Sequence, residues 1–317
     1  MVEGGASRSL WPYKVDPYEL FRLISETPRM RKKSISYRFK VNEKTGVNWW
    51  NEAIRRGIIR PPIFRRKSFL NFREYFYFLQ VDDPHELYTK SKENKDLMFF
   101  SVQTGFSNFQ IVSPAEINLK DNIVVSGERS DFYVTVPRNC SFETSISVIQ
   151  DKLKNIDTVK RVPSPLIYRN EVFKWDELDE KIYLELFNSF RKSYRTILKN
   201  TGVYSKRILH WLRNCNQFGQ TIVMYFPQGI GAYQPTIFFV KTDNDSLLID
   251  LFSCFPVSTV FFRIGEYLVF KVYLPFVLNG ETPYRSIPYI MLNFLKKKKL
   301  VKNYTNSIDQ YYYRPEF

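Results

Sequence analysis

Histidine, cysteine and glycine are all sparse in this 317-residue chain, which holds two, three and 12 of them respectively. Metal centres and nucleophile–base pairs draw mainly on the first two, so little chemistry of that kind can be assembled. Cys140, Cys215 and Cys254 lie far apart without a CxxC spacing, which excludes a paired-cysteine zinc motif and a disulfide framework and leaves reduced, structural thiols. His85 and His210 fall on expected helices with no matching serine, cysteine or carboxylate constellation. The glycine shortage leaves little material for phosphate-cradling loops, and the lone Gly229-Ile230-Gly231 precedes a strand rather than following one, so it reads as a turn. A membrane span needs an unbroken run of about 20 apolar residues. The most apolar stretch, Leu247 to Leu274, is interrupted by Asp250, Arg263, Glu266 and Lys271. No basic-then-apolar segment opens the chain. The expectation is a soluble, cytoplasmic protein that engages no membrane, needs no cofactor and holds no metal.

Aromatic residues are abundant, with 28 Phe, 21 Tyr and 5 Trp inside an apolar fraction of 44%. That composition excludes a disordered chain and favours filled interiors with many strands. Lys and Arg number 47 against 32 Asp and Glu, a formal charge of +15. Such an excess attracts polyanions, nucleic acid above all, through release of condensed counterions.

Lys33 to Pro62 has the pattern of two helices around a tight turn at Lys40-Val41-Asn42. Asn42 is a suitable N-cap, and Gly57 is the residue type that ends a helix at positive φ. On a helix of about 3.6 residues per turn, Val47, Trp50 and Ile54 share one stripe, while Lys44, Asn48, Asn51 and Arg55 share another. One face packs and the other reaches a partner. Asp16-Pro17 opens an earlier helix whose apolar side is Leu20, Phe21 and Ile24, so three short helices form one compact unit. After Gly57, apolar pairs alternate with Arg60, Arg65, Arg66 and Lys67, the pattern of a small basic wing.

From Glu74 the texture changes to strands. Tyr75 to Val81 is a near-continuous apolar run suited to a strand covered on both faces. A helix from Asp83-Pro84, strands at Met98–Val102 and Asn108–Val112 joined through Gly105, and a further pair at Ile123–Val125 and Phe132–Val136 follow. Ser141 then caps a helix whose Phe142, Ile146, Ile149, Leu153 and Ile156 hold helical spacing. In the hairpin turn, Glu128, Arg129 and Asp131 read as a surface ion pair rather than a ligand anchor.

The pattern then repeats. Glu185-Leu186-Phe187 matches Glu19-Leu20-Phe21 at an offset of 166 residues, and Gly202-Val203-Tyr204 falls where Lys40-Val41-Asn42 fell, at an offset of 162. A strand at Thr236–Val240, a helix capped by Asp243 or Asn244, a hairpin around Gly265 and a helix at Ile287–Leu295 complete the second copy. Gly105 is the counterpart of Gly265, which makes residues 113 to 136 an insertion in the first half. Lys296 to Lys299 either touches phosphate or solvates a helix end. The class is α/β (α+β), a duplicated unit of winged helix-turn-helix plus ferredoxin-like βαββαβ domain. Its expected organisation is a tail over 1–15, a winged helix-turn-helix over 16–73, a ferredoxin-like domain with extra strands over 74–158, a linker over 159–174, a second helix-turn-helix over 175–220 and a second ferredoxin-like domain over 221–317.

This order resembles the Lrp/AsnC family of feast/famine transcription regulators. The likeness rests on KVNEKTGVNWWNEAIRRGII, YFYFLQVDD and VQTGFSNFQIV in the first half, and on LDEKIYLELF, ILKNTGVYSKRILHWL and FFRIGEYLVFKV in the second. It implies a winged helix-turn-helix that reads double-stranded DNA and a ferredoxin-like domain that pairs sheet to sheet and takes a small-molecule effector, commonly an amino acid. Two units in one chain imply an internal pseudo-dimer or a homo-oligomer. The family's second effector-hairpin glycine has no clear equivalent, so no effector residue is carried over.

Charge separates the two helical units: residues 16–73 carry net +10, residues 178–220 net +5. The first is therefore the expected reader, with Lys44, Asn48, Asn51 and Arg55 at base edges in the major groove and Arg65, Arg66 and Lys67 on phosphates. Trp49 and Trp50 are expected in the core. A non-enzymatic regulator is the leading expectation. An enzyme of the siroheme decarboxylase kind, which resembles Lrp/AsnC in fold, is the alternative; it would need basic and imidazole groups around a tetrapyrrole. An effector-sensing scaffold is the third.

Overall fold

Capping residues set where the helices begin. Asp16 accepts a hydrogen bond from the Tyr18 N–H, and α1 runs Pro17–Glu26. α2 (Ser34–Phe39) stops where Lys40 takes a left-handed φ of 52°, and Asn42 accepts from the Thr45 N–H to open α3 (Glu43–Arg55). A Cβ at Gly46 would lie 2.8 Å from the Ser36 backbone nitrogen, so the close crossing of α2 and α3 requires glycine there. Trp49, Trp50 and Ala53 pack with Leu20, Phe21 and Ile24 in one small core, where both tryptophans are buried. The computed structural model describes residues 13, 15–94, 96–119, 122–158, 162–276 and 284–314.

β1 (Ile63–Arg66), β2 (Tyr75–Leu79), α4 (Pro84–Ser91), β3 (Phe99–Gly105), β4 (Phe109–Ser113), β5 (Ile123–Glu128), β6 (Tyr133–Val134) and α5 (Phe142–Lys154) complete the first half. The second half runs α6 (Glu177–Leu186), α7 (Tyr194–Thr201), α8 (Ser205–Phe218), β7 (Gly219–Ile222), β8 (Tyr233–Lys241), α9 (Asp245–Phe252), β9 (Val260–Ile264), β10 (Tyr267–Pro275), α10 (Ile287–Lys297) and β11 (Asn303–Tyr313). Gly202 ends α7 at a φ of 68°, the counterpart of Lys40.

One nine-stranded antiparallel sheet, ordered β5-β2-β4-β3-β11-β8-β10-β9-β6, joins the halves. The order β5-β2-β4-β3 is the ferredoxin-like order of fourth, first, third and second strand, and β11-β8-β10-β9 repeats it. β3 and β11 are the seam between them. The chain is thus a duplicated Lrp-like α/β fold. Alternation along the strands buries both faces, which is why β2 and β10 read as near-continuous apolar runs. Phe76 and Phe78 of β2 turn inward against Phe262 of β9 and Phe239 of β8, at ring-centroid separations of 4.8 and 4.7 Å. Arg129, next after β5 at one edge, bridges to Ile264 of β9, so the sheet curls until its two four-strand sections face each other.

Three details depart from the sequence reading. β5 occupies the place that β11 holds in the second half, so most of residues 113–136 is the closing strand and its continuation rather than an insertion. What the first half lacks is the helix before that strand. α5 comes later and packs elsewhere: Phe142 and Ile149, with Ile156 beyond its end, are buried beside Phe252, Phe270 and Leu292 of the second half. The basic wing is not free either, because β1 pairs with β7 in an antiparallel ribbon that ties the two halves together.

Candidate ligand cavity between the sheets

The residues expected to meet DNA divide into two groups. Lys44, Asn48, Asn51 and Arg55 do share an exposed face of α3. Arg55 there is engaged by Glu52, with Nε at 2.8 Å and Nη2 at 2.5 Å, an interaction that holds the Glu52 carboxyl down to about 2. Asn51 accepts from Lys32 Nζ at 2.7 Å. The wing residues turn into the protein. Arg66 pairs with Glu180 at 2.6 Å and lies over the Tyr183 ring at 4.1 Å, while Lys67 donates to the Asn216 carbonyl at 2.5 Å. Arg65 stacks over Phe187 at 5.0 Å. Their positive charge fills inter-helix contacts, so the phosphate-clamp role expected of them is corrected.

A reciprocal clasp locks the two helical units. Arg29 donates to the carbonyls of Phe190 and Lys192, the latter at 2.9 Å. Arg191, at the same 162-residue offset that relates the two turns, donates to the carbonyls of Pro28 and Met30, both at 2.6 Å, and lies 4.1 Å over Trp50. Burial, then the neighbouring Arg29, pushes the Arg191 guanidinium down to about 10.

The face-to-face sections enclose a cleft with about 900 Å³ of empty space, open mouth included. Its walls are aromatic and aliphatic: Phe76, Phe78, Phe132 and Phe262 with Met98 and Val112. The β1–β7 ribbon contributes Ile63, Arg65 and Ile222. Against this apolar lining stand Arg65, Lys271, Arg314, Glu74, Gln110 and Tyr273. Arg65 Nη1, Arg314 Nε and Glu74 Oε1 are buried without a hydrogen-bond partner among the described residues. An unmet buried donor or acceptor costs about 1–3 kcal/mol, and a ligand in the cleft could relieve it.

A β-bulge aims one of these groups. β11 pairs with β3 in register up to Asp309 opposite Gln103, then slips so that Tyr311 stands opposite Val102. The slip reverses which residues face inward. Beyond it Tyr311 and Tyr313 turn to the outer face, and Arg314 enters the cavity over Phe99 at 5.5 Å. Burial lowers its guanidinium to about 10, with Arg65 nearby adding to the effect.

Two buried ion pairs organise the charge. Arg129 donates to Glu74 Oε2 at 2.7 Å, to the Arg66 carbonyl at 2.8 Å and to the Ser130 carbonyl at 2.9 Å, and both side chains are at most 3% exposed. The expected surface pair in this turn is therefore an internal strut; Asp131 likewise receives the Ser68 N–H at 2.6 Å and pairs with Arg169 at 2.9 Å. Burial alone would raise the Glu74 carboxyl, but Arg129, with Arg65 and Arg66, reverses this and holds it below the usual carboxylate range. The second pair joins Lys271 of β10 to Asp309 of β11. Burial works against the Lys271 ammonium, yet Asp309 outweighs it and raises its pKa.

Of the lining charges, only Arg65 was singled out in the sequence, and for another role. Lys271 and Asp309 were legible as lone charges in the apolar runs LVFKVYL and SIDQYYY; Arg314 depends on a bulge that no residue pattern announces. His85 and His210 are exposed and away from the cleft. No cluster of three or more His, Cys, Asp or Glu suited to a metal occurs among the described residues, and none of their helices is long and apolar enough to cross a membrane.

The fold is therefore a tandem Lrp-like one, with a cavity between the facing sections of its sheet. No family model matches the chain, and no curated protein does. Among solved structures it is similar to the crystal structure of the siroheme decarboxylase NirDL, at 10% identity and a TM-score of 0.49 over 95% of this chain and 93% of that one. The same enzyme in co-complex with an iron-uroporphyrin III analogue matches at 10% identity and a TM-score of 0.48, covering 95% and 94%. Both are enzymes, and no regulator stands with them. The expectation of a non-enzymatic DNA-binding regulator is corrected on the chain's own geometry, in which the basic wing it relied on is paired with β7 and turned inward.

Proposed function

We propose that this chain is an enzyme of the siroheme decarboxylase kind on an Lrp-like fold, acting in the inter-sheet cavity on a flat, largely apolar ring system that carries carboxylates. The observation that carries this reading is the pairing of aromatic walls with three cationic side chains, Arg65, Lys271 and Arg314, two of which keep buried N–H groups without a partner among the described residues. Apolar walls with a few convergent polar groups are the usual make-up of a small-molecule site. Guanidinium forks match carboxylates in charge and geometry. The fit to a tetrapyrrole is partial: cations meet its carboxylates and rings meet its faces, but the lining supplies no imidazole to iron, and the sulfurs of Met98 and Met224 are the soft donors at the wall.

Titration with iron-uroporphyrin III, followed by its Soret band, tests binding, and mass analysis after incubation with siroheme tests loss of carboxyl groups. We expect a saturable Soret shift that weakens at least tenfold in R65A/R314A, together with carboxyl loss from siroheme. An absent shift in folded wild-type protein rejects the reading. A second reading, a binding scaffold without turnover, is favoured by the missing imidazole; a Soret shift with siroheme left intact would select it.

A further inference from the structure

Lys271 stands where the fold has no need of a charge. Its same-face neighbours along β10 are Val269, in the core between the sheet sections, and Tyr273, at the cavity wall; it lies opposite Ile237 of β8, which in turn lies opposite Ser307 of β11. To meet Asp309 its side chain crosses an entire apolar strand. A hydrophobic replacement of such a buried pair is often neutral or stabilising, so packing alone does not account for it.

Asp309 is in turn held by the other half. Its Oδ1 accepts from Gln103 Nε2 at 2.8 Å and from Ser101 Oγ at 3.3 Å, and Gln103 also donates to Gln110 Oε1 at 3.0 Å. Gln103 Oε1 is fixed by Ser107 Oγ at 2.7 Å. Side chains from both halves thus position one ammonium at the cavity wall, just before the bulge that turns Arg314 inward.

We infer that Lys271 is the proton donor of the reaction and that Asp309 is its positioning residue. This rests on the decarboxylase reading above. The remaining titratable groups at the wall are less suited. Arg65 and Arg314 are guanidinium groups, which do not act as proton donors near neutral pH. Glu74 is held ionised by Arg129. Tyr273 is the one competitor. In the step, the bond between a ring-attached CH₂ and its carboxylate carbon breaks and CO₂ leaves. The electron pair stays on the CH₂ carbon, delocalised into the ring, and takes a proton from the Lys271 ammonium to become CH₃. Lys271, left as an amine, regains its proton from water at the cavity mouth, and Asp309 favours that recharge. No oxidant or reductant enters.

The test compares wild type, K271M, K271R, D309N, K271M/D309N and Y273F, with iron-uroporphyrin III as binding probe and siroheme for single turnover. General acid catalysis contributes typically about 10²–10⁴-fold. K271M and K271M/D309N should lose at least 100-fold in single-turnover rate at saturating siroheme, and K271R, which keeps the positive charge but gives no proton near neutral pH, should bind the probe within threefold of wild type and stay as slow. The double variant leaves no buried charge unpaired and guards against a folding defect. In wild type the rate should fall as pH rises through the Lys271 pKa, and D309N should move that limb to lower pH because the partner that raises it is gone. Undiminished turnover in K271M, or a loss confined to Y273F, overturns the assignment while the decarboxylase reading stands. No Soret shift, or no turnover, in wild type overturns that reading and this assignment with it.

Discussion

Removing Arg129 should be among the most damaging single changes in the molecule. Arg129→Met deletes three hydrogen bonds, to Glu74 Oε2, the Arg66 carbonyl and the Ser130 carbonyl, and leaves the Glu74 carboxylate buried without its counter-ion. Breaking a buried pair from one side costs about 3–5 kcal/mol, because the surviving charge has been taken out of water with nothing to repay it. Removing both should cost far less. E74L/R129M puts apolar side chains among Phe132 and the β1 ribbon, and is expected within about 2 kcal/mol of wild type. Urea denaturation of the four proteins of the cycle gives the coupling directly, read as midpoints at constant slope. The pair also sets a pH dependence. The folded Glu74 carboxyl is depressed below its ordinary value of 4.5, so its contribution is fully present above that pH and is lost as pH falls further. Wild type should therefore lose more stability than E74L/R129M on going from pH 6 to pH 3.5. A single-variant cost under 1 kcal/mol, or equal acid sensitivity in the double variant, would refute the reasoning.

Other expectations concern separate parts of the fold. R29A/R191A removes four bonds to backbone carbonyls between the helical units, and should cost about 2–4 kcal/mol and raise amide exchange at residues 28–30 and 190–192, which protection against deuterium measures. Gly46→Ala forces α2 and α3 apart and should cost about 1–3 kcal/mol by thermal melting, since its methyl would meet backbone rather than a movable side chain. Deleting Gln310 should erase the bulge yet keep Tyr311 opposite Val102 and Arg314 inward, so iron-uroporphyrin III should bind within about threefold of wild type by Soret titration; a loss of tenfold or more would contradict this register. The same titration should saturate at one probe per chain; two would contradict a single inter-sheet cavity.

Local rules carried much of the fold. Asp16, Asn42 and Ser141 cap the helices their residue types announce, and Gly202 ends one at positive φ, because each effect is decided within four residues of chain. The repeat offsets exposed the duplication for a similar reason: matched turns must recur if two copies share a fold. What the sequence hid was all long-range. That β1 would pair with β7 rather than serve as a free wing depends on residues 63–66 meeting 219–222. That α5 would cover the other half depends on where β6 leaves the sheet, along β9. The basic composition of residues 16–73 misled for a physical reason. Arg29, Arg65, Arg66 and Lys67 look like a cationic surface when counted, but their partners are carbonyls, rings and Glu180, none of which a count of charges registers.

Tandem duplication also explains how one asymmetric site can arise from two equivalent sheets. A two-fold interface between identical subunits presents every group twice, so a lysine and an aspartate on its inner face would appear as two pairs, and an arginine turned inward by a bulge would face its own copy. In one chain the halves are free to differ. The second half gives Lys271, Asp309 and Arg314, while the first gives Arg65 and Glu74 with Ser101, Gln103 and Gln110 as the hydrogen-bonding shell. Neither half holds a complete set. Gln103 has meaning as a support only because β11 of the other half brings Asp309 beside it, and Arg314 reaches the cavity only because β11 shifts register against β3. The β3–β11 seam is therefore both the joint that makes one sheet of two and the edge along which the polar groups of the cavity are assembled.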